Sequence, residues 1–509
     1  MVKLRTASQP VAFRHGLPGL PDRGTQAALW VAGAVLFVVF ATANAAGYRY
    51  GVSDQAFYVP AVVRAMNPAA FPHDAPLIEA QARLMVLDEL LARIIGATGL
   101  SIESIFAVGY FASLLLIWTA LTLIGGSLYR SAWMTAALAA AFTLRHRIPR
   151  TSANSFEPYF HPRMLAFGFG ALAVAALLRR RPVTALALVG VTALVHITTG
   201  IWFAVLLGVA IVVSVPRLRP AMTVAAVIGL VAAAWMITGP FSDGLVRMDA
   251  TWRQAVASKD SLFPTEWPLW AWAANLGLVA VLVWSYAMRR RRAEATPEDT
   301  GLVAGALALT VIFLATLPAV AAGIAVAVQF QISRVFWLVD LLATMYVVGL
   351  VGNGRANATR VLAILLFLAS VARGVYIIGI EHPERTLFAF DEPESPWIDV
   401  TRWLASRPPG VNVLADPGHA WKYGTSVRVS AARDVFLEDV KDSAVAMYSR
   451  PVAMRVLERT QALGDFGALT GERARELAAR YDLDYLVTPA ALNLPLAYRN
   501  TQFSIYALR

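Results

Sequence analysis

Tyr48-Arg49-Tyr50-Gly51-Val52-Ser53-Asp54-Gln55 follows directly on the apolar run Ala27 to Ala46. A helix that crosses a bilayer needs about 20 mostly apolar residues, so the run reads as a first span and the Tyr48 stretch as the opening of the loop beyond it. Lys3, Arg5, Arg14 and Arg23 precede the run. It is too long for the core of a signal peptide and ends without a convincing cleavage site, so it is expected to be retained. The helix end then fixes Asp54 near the membrane mouth. The plainer reading of the same residue is an N-cap for a helix that starts in the loop.

The chain repeats this apolar pattern. Ile102 to Ile124, Ala221 to Ile237, Trp267 to Met288, Leu302 to Gly323, Val335 to Leu350 and Val361 to Ile380 all read as spans. Ala132 to Leu144, Met164 to Leu178, Val183 to Thr198 and Ile201 to Val215 are shorter and closely spaced, so one of them is open to a re-entrant reading. About eleven spans are expected, within bounds of about ten to twelve. Arg130, Arg179 to Arg181, Arg217 with Arg219, Arg289 to Arg292, and Arg355 with Arg360 fall on alternate loops that carry few acids. Basic loops stay in the cytoplasm, which places the N-terminus inside and everything after Glu381 outside. Glycines within the spans read as helix-packing positions.

Composition agrees. Hydrophobic residues make up 58% of the chain and charged residues 15%, where soluble domains carry about a quarter charged. The net charge of +11 is distributed as short Arg runs between apolar stretches rather than on one face, so a nucleic-acid partner is not expected. With no cysteine, disulfide and thiolate chemistry are excluded. No P-loop, dinucleotide fingerprint, nucleophile elbow or metal-ligand spacing occurs.

Past Ile380 the chain turns charged and Pro-rich, as in His382-Pro383-Glu384-Arg385 and Asp391-Glu392-Pro393. Val411 to Ala415, Val427 to Ser430, Tyr485 to Thr488 and Phe503 to Leu508 read as strands, while Trp397 to Ser406 and Gly471 to Tyr481 read as helices. The division expected is a cytoplasmic segment 1–26, a membrane domain 27–380 that includes the first outer loop 47–101, and an extracytoplasmic α/β domain 381–509.

Two outer loops carry the candidate chemistry. The first runs from Asp54 to His73-Asp74 and on through Pro76 to Gly96, where Leu77, Leu84, Leu87, Leu91 and Ile94 recur at helical spacing. That pattern predicts an amphipathic helix along the membrane surface. The second is Arg145-His146-Arg147-Ile148-Pro149-Arg150, followed by Asn154, Glu157, Tyr159, His161 and Arg163. Cations on the side where the positive-inside rule disfavours them suggest a bound anion, and the planar Arg fork matches a phosphate. Contact with acidic headgroups is the alternative. Within the spans, Asn44, His196, Arg334 and Asp340 stand out because polar groups at membrane depth are costly. Arg334 equally fits an interfacial side chain, His196 a packing residue and Asp340 a partner for an arginine.

A first span, a long outer loop with an acid near its start (Ser53-Asp54-Gln55), amphipathic surface helices and many further spans resemble the GT-C superfamily of membrane glycosyltransferases. The tail is similar to those of bacterial members in Trp397 to Pro409, in Arg433-Asp434-Val435-Phe436 with Lys441-Asp442, and in Tyr481 to Val487 with Phe503-Ser504-Ile505-Tyr506. The resemblance implies a GT-C-like fold in the bacterial cytoplasmic membrane. It implies inverting transfer of a sugar from a polyprenyl-phosphate donor to an envelope glycan, lipid or protein, with membrane lipids as neighbours. Asp54 would be the base, with Asp74 and Glu157 as rivals, and Arg145, His146, Arg147, Arg150, Glu157, His161, Arg163 and Arg334 would contact substrate. His73 and His196 are further candidates. Members often pair two acids in this loop, whereas Gln55 follows Asp54 here, a departure that bears on activity and on any divalent-metal requirement; no cofactor is certain and a divalent cation is possible. A transporter or flippase of a lipid-linked or anionic solute, and a non-catalytic assembly protein, are the alternatives. A transporter should show repeats in matching halves, and none is evident.

Overall fold

The computed structural model describes residues 23–83, 85–129, 131–239, 242–352 and 356–509. Lys3, Arg5, Arg14, Leu84, Arg130 and Arg355 lie outside them. Among the described residues eight helices are long and apolar enough to cross a membrane, from Gly24–Asn44 to Asn357–Glu381. Three shorter apolar helices, Ala132–Thr143, Pro162–Leu178 and Pro182–Val195, stand where short spans are expected. The run expected at Ile201 to Val215 belongs to a full-length helix, Ile197–Ser214. His196, with extended backbone, separates it from Pro182–Val195. The two helices fold back on each other so closely that a Cβ on Gly200 would strike the backbone of Ala193.

Small residues set the other close crossings. Gly301 and Gly305 lie one turn apart on the Pro297–Ala321 helix, and a Cβ at either would collide with the carbonyls of Ala210 and Leu206 on Ile197–Ser214. Glycine there lets two apolar helices approach to backbone contact, which substitutes for a hydrophobic driving force that lipid cannot supply.

The loop after the first apolar helix departs from expectation. A helix at Gln55–Met66 precedes the amphipathic stretch, and that stretch is two helices, Ala75–Ala82 and Leu87–Thr98, rather than one. Ala75–Ala82 turns Leu77 and Ile78 into the core beneath the tail, whereas Leu87–Thr98 leaves Leu90 and Ile94 exposed. Different burial partners explain the break.

The tail holds a five-stranded sheet in the order Asp434–Val435, Asn412–Leu414, Tyr485–Thr488, Ser504–Ala507, Leu496–Arg499. The first three are mutually parallel and the last two antiparallel. Val427–Ser430, expected as a strand, is a helical turn: the Ser426 hydroxyl caps it by accepting from the Arg428 amide, and Arg428 is drawn inward by acids. The tail is fastened to the first loop. Tyr48–Arg49 pairs with Phe388–Ala389 as a parallel ladder, and Phe71 and Leu77 share one apolar core with Leu414, Phe436 and Leu486.

A buried ion network adds to this. Arg428, fully enclosed, donates Nε to Asp74 Oδ2 (2.7 Å) and Nη1 to Asp442 Oδ1 (2.5 Å), and Asp74 also accepts from Arg455 and from the Val435 amide. Burial works against the charge on Asp74, but Arg428 and Arg455 outweigh it and hold the carboxyl well below its ordinary range.

Candidate active site

Three helices begin around one cavity of about 230 Å³: Pro162–Leu178, Ile197–Ser214 and Val335–Gly352. Their first residues or caps, His161, His196 and Arg334, line it together with Arg163 and Asp54. Helix N-termini carry a partial positive charge, so their convergence on one space favours an anion, although their first amides are already taken by His161, His196 and the turn at Gln331. The basic runs lie elsewhere. Arg179 to Arg181, Arg217 with Arg219, and Arg289 to Arg291 follow or close the far ends of helices that start on the cavity side.

Local backbone explains how Asp54 reaches this space. Gly51 (φ 78°) and Ser53 (φ 52°) both adopt left-handed conformations, which turn the chain sharply after the first span. Asp54 then stands at the N-cap position of Gln55–Met66, but its side chain makes no capping bond. Its Oδ1 accepts from Lys441 Nζ at 2.6 Å, and its Oδ2 lies 3.3 Å from His161 Nε2. The capping role open in the sequence is therefore not the one adopted. Burial alone raises the Asp54 carboxyl; the Lys441 ammonium and the His161 hydrogen bond overcome this and hold it well below the usual carboxylate range.

His161 is fixed on both sides. The Arg163 amide donates to its Nδ1 at 3.0 Å, which leaves the proton of a neutral ring on Nε2, facing Asp54. Tyr159 stacks on one side of the ring and Tyr58 meets it edge-on. Burial, reinforced by Arg163, pulls the imidazole down to about 4, so the ring is neutral at ordinary pH and orients the carboxylate without adding charge.

Glu157 is a buried carboxylate already committed: it accepts from Arg163 (3.2 Å), Arg145 (3.3 Å) and Asn154 (2.8 Å). It holds the Arg163 guanidinium over the Trp337 ring, beside the cavity. Asp74 sits in the tail network. Neither rival base has a free oxygen at the cavity wall.

Arg334 is different. Its Nε is buried and has no hydrogen-bond partner among the described residues. Gln331, three residues earlier, has φ 46°, a left-handed conformation that breaks the apolar stretch between Ala325–Gln329 and Val335–Gly352 and sets Arg334 at the start of the second helix.

Several expected contacts are not at the cavity. Arg145 serves Glu157 and the Phe156 carbonyl. His146 Nδ1 pairs with Asp340 at 2.7 Å, so the partner of Asp340 is a histidine rather than an arginine. Arg150 pairs with Asp260, and Arg147 is exposed on a short hairpin with Asn154. His73 lies 3.8 Å from Asp482, on the tail. The hairpin turns the first half of the basic cluster away and only its second half, His161 and Arg163, inward. In turn Lys441, Lys259, Gln331 and Tyr448 line the cavity from distant segments. Lys441 enters the sequence reading only as part of a tail motif, and no local pattern singles out the others.

A divalent cation requires several oxygen ligands, carboxylates above all. The cavity offers one carboxylate, both of whose oxygens are engaged. Gln55 is turned aside, accepting from the Gly51 amide at 2.6 Å and donating to the Phe160 carbonyl at 3.3 Å. Among the described residues no three His, Asp or Glu side chains gather as a metal site. The residues present do not fit a divalent ion.

No family model matches the chain, and no curated protein matches it. Among solved structures it is similar to the apo oligosaccharyltransferase of Archaeoglobus fulgidus, with 13% identity and a TM-score of 0.48 over 92% of this chain and 70% of that one. It is also similar to the arabinofuranosyltransferase AftD from Mycobacteria, with 13% identity and a TM-score of 0.48 over 94% of this chain. The match spans 40% of the mycobacterial protein.

Proposed function

We propose that the chain is a membrane glycosyltransferase that moves a sugar from polyprenyl phosphate to an envelope acceptor at the extracytoplasmic face, inverting the anomeric carbon. The observation that carries this reading is the cavity itself: one ionised, oriented carboxylate shares it with Arg334, whose Nε has no protein partner, and with three helix N-termini. An anion and an uncompensated cation in one enclosed space suit a reaction that needs a base at one end and a departing phosphate at the other.

In this reaction the acceptor O–H passes its proton to Asp54 as the oxygen bonds to the anomeric carbon from the face opposite the phosphate. The bond from that carbon to the phosphate oxygen breaks, and the electron pair leaves on the phosphate. Arg334, Arg163 and the helix N-termini are in place to stabilise that charge without reorganising, which is the larger share of catalysis in sites of this kind. His161 keeps the Asp54 oxygen pointed at the acceptor. Pro162–Leu178 and Ile197–Ser214 both start at the cavity, which supports a site near the headgroup level at which a lipid-linked sugar sits. The basic runs at the far helix ends support a cytoplasmic position for that side and an outer position for the tail.

The test is release of polyprenyl phosphate from a set of polyprenyl-phosphate sugars by the purified full chain. Turnover with at least one donor supports the reading. Binding with no turnover across the set would direct attention to a transporter or an assembly protein.

A further inference from the structure

We infer that Lys441, carried by the tail, is a cation shared between two anions, Asp54 and the donor's phosphate, and does there the work for which related chemistry recruits a divalent ion. The inference rests on the glycosyltransferase reading and deepens it.

The geometry is specific. Lys441 Nζ is 2.6 Å from Asp54 Oδ1 and 3.2 Å from Ser53 Oγ, and it lies over the Phe57 ring. The lysine side chain is 12% exposed and that of Asp54 is 29% exposed, so the ion pair is partly shielded from solvent. The backbone beneath it is held: Asp442, the next residue, is locked to Arg428, and Arg428 to Asp74 of the first loop. What is free to move is the flexible four-carbon stem with its ammonium. Within the same cavity lie Lys259, Arg163 and Arg334. A divalent ion added beside these four cations would meet one carboxylate with no unengaged oxygen, whereas a phosphate would meet a surplus of donors.

The consequence concerns the base. A carboxylate bonded to an ammonium is a poor proton acceptor, and the Lys441 contact is what holds Asp54 down against its burial. When Lys441 turns to the phosphate, charge stays balanced: the lysine pairs with the incoming anion and Asp54 is left to the acceptor hydroxyl. The donor thereby switches on the base, and donor binding precedes productive acceptor binding.

Binding of a polyprenyl monophosphate to the purified full chain tests this, measured with EDTA and with added Mg²⁺ or Mn²⁺. Lys441→Met is expected to lose about tenfold in affinity, Lys441→Arg to stay within about threefold of the parent, and the parent to be indifferent to chelation. Asp54→Asn provides a second arm that leaves Lys441 intact. Freed from its partner, the lysine should tighten phosphate binding severalfold, whereas a metal ligand removed at the same position would weaken it. Unchanged affinity in Lys441→Met, loss of binding on chelation with recovery on adding a divalent ion, or weaker binding by Asp54→Asn would each overturn the inference. If the binding pattern holds while no sugar donor is turned over, the shared cation stands and the transferase reading fails.

Discussion

Replacing Arg334 by Met separates binding from stability in one variant. Methionine keeps the apolar stem that packs at the start of Val335–Gly352 and removes the guanidinium. Nothing in the protein is left unpaired, because no described residue bonds the guanidinium and Nε is buried without a partner. Deleting a half-buried cation that has no hydrogen-bond partner in the protein is therefore close to neutral for the fold. Phosphate binding responds in the opposite direction. A charge-assisted hydrogen bond is worth about 1.5 to 3 kcal/mol, and about 1.4 kcal/mol is tenfold, so affinity for polyprenyl phosphate should fall by about 10- to 150-fold. Isothermal titration and a thermal melt in the same detergent read both quantities. Affinity within twofold of the parent would refute the assignment of Arg334 to the phosphate. A melt lowered by many degrees would show instead that the arginine has a structural partner.

Arg428→Met removes the guanidinium that joins Asp74 to Asp442, leaving Asp74 to Arg455 and the Val435 amide and Asp442 to the Glu438 amide alone, so a loss of about 3 kcal/mol is expected. Limited proteolysis should then release the tail while the helical signal of the membrane part persists; a protease-resistant tail would contradict the docking role. Because His161 is held near 4 when folded and titrates near 6.5 when unfolded, the unfolded state binds more protons between those values, and stability falls as pH drops through that window. The cost between pH 8 and pH 5 is about 2 kcal/mol, which His161→Gln should remove from the parent's denaturation profile; identical pH profiles would refute the neutral, buried imidazole. Reporter fusions after Arg292 should score as cytoplasmic and those at Arg509 as outside, and a cytoplasmic score at Arg509 would overturn the orientation.

The helices that cross the membrane were legible because apolar runs of span length leave few alternatives; even the three short ones are helices at the expected places. Strands of the tail were legible as short apolar β-type runs, as at Tyr485–Thr488, whereas Val427–Ser430 alternates apolar and polar residues yet forms a helical turn, because a cap and the burial of Arg428 override β propensity. For the site, proximity in sequence served only in part. Asp54 stood out by its place after the first span, His161 and Arg163 as part of a basic cluster in a loop, and His196 and Arg334 as ionisable groups within apolar runs, where the membrane makes charge expensive. Arg145 and Glu157 looked alike in the sequence but form an internal pair, a distinction made by the turn at Arg147 to Asn154 that no composition reveals. Lys441 and Lys259 reach the cavity only through tertiary packing of the tail and of the loop before Leu269–Arg291. A lone lysine in a charged segment carries no local mark of that.

In the proposed reaction Asp54 takes the acceptor's proton during sugar transfer. The most direct test is the single-turnover rate of Asp54→Asn against the parent, with donor and acceptor saturating and the bound donor quantified in both. Asparagine keeps the size and removes the basicity. The rate should therefore fall by about 100-fold or more, the usual contribution of a positioned base, while donor remains bound. Near-parental transfer by Asp54→Asn would contradict the account.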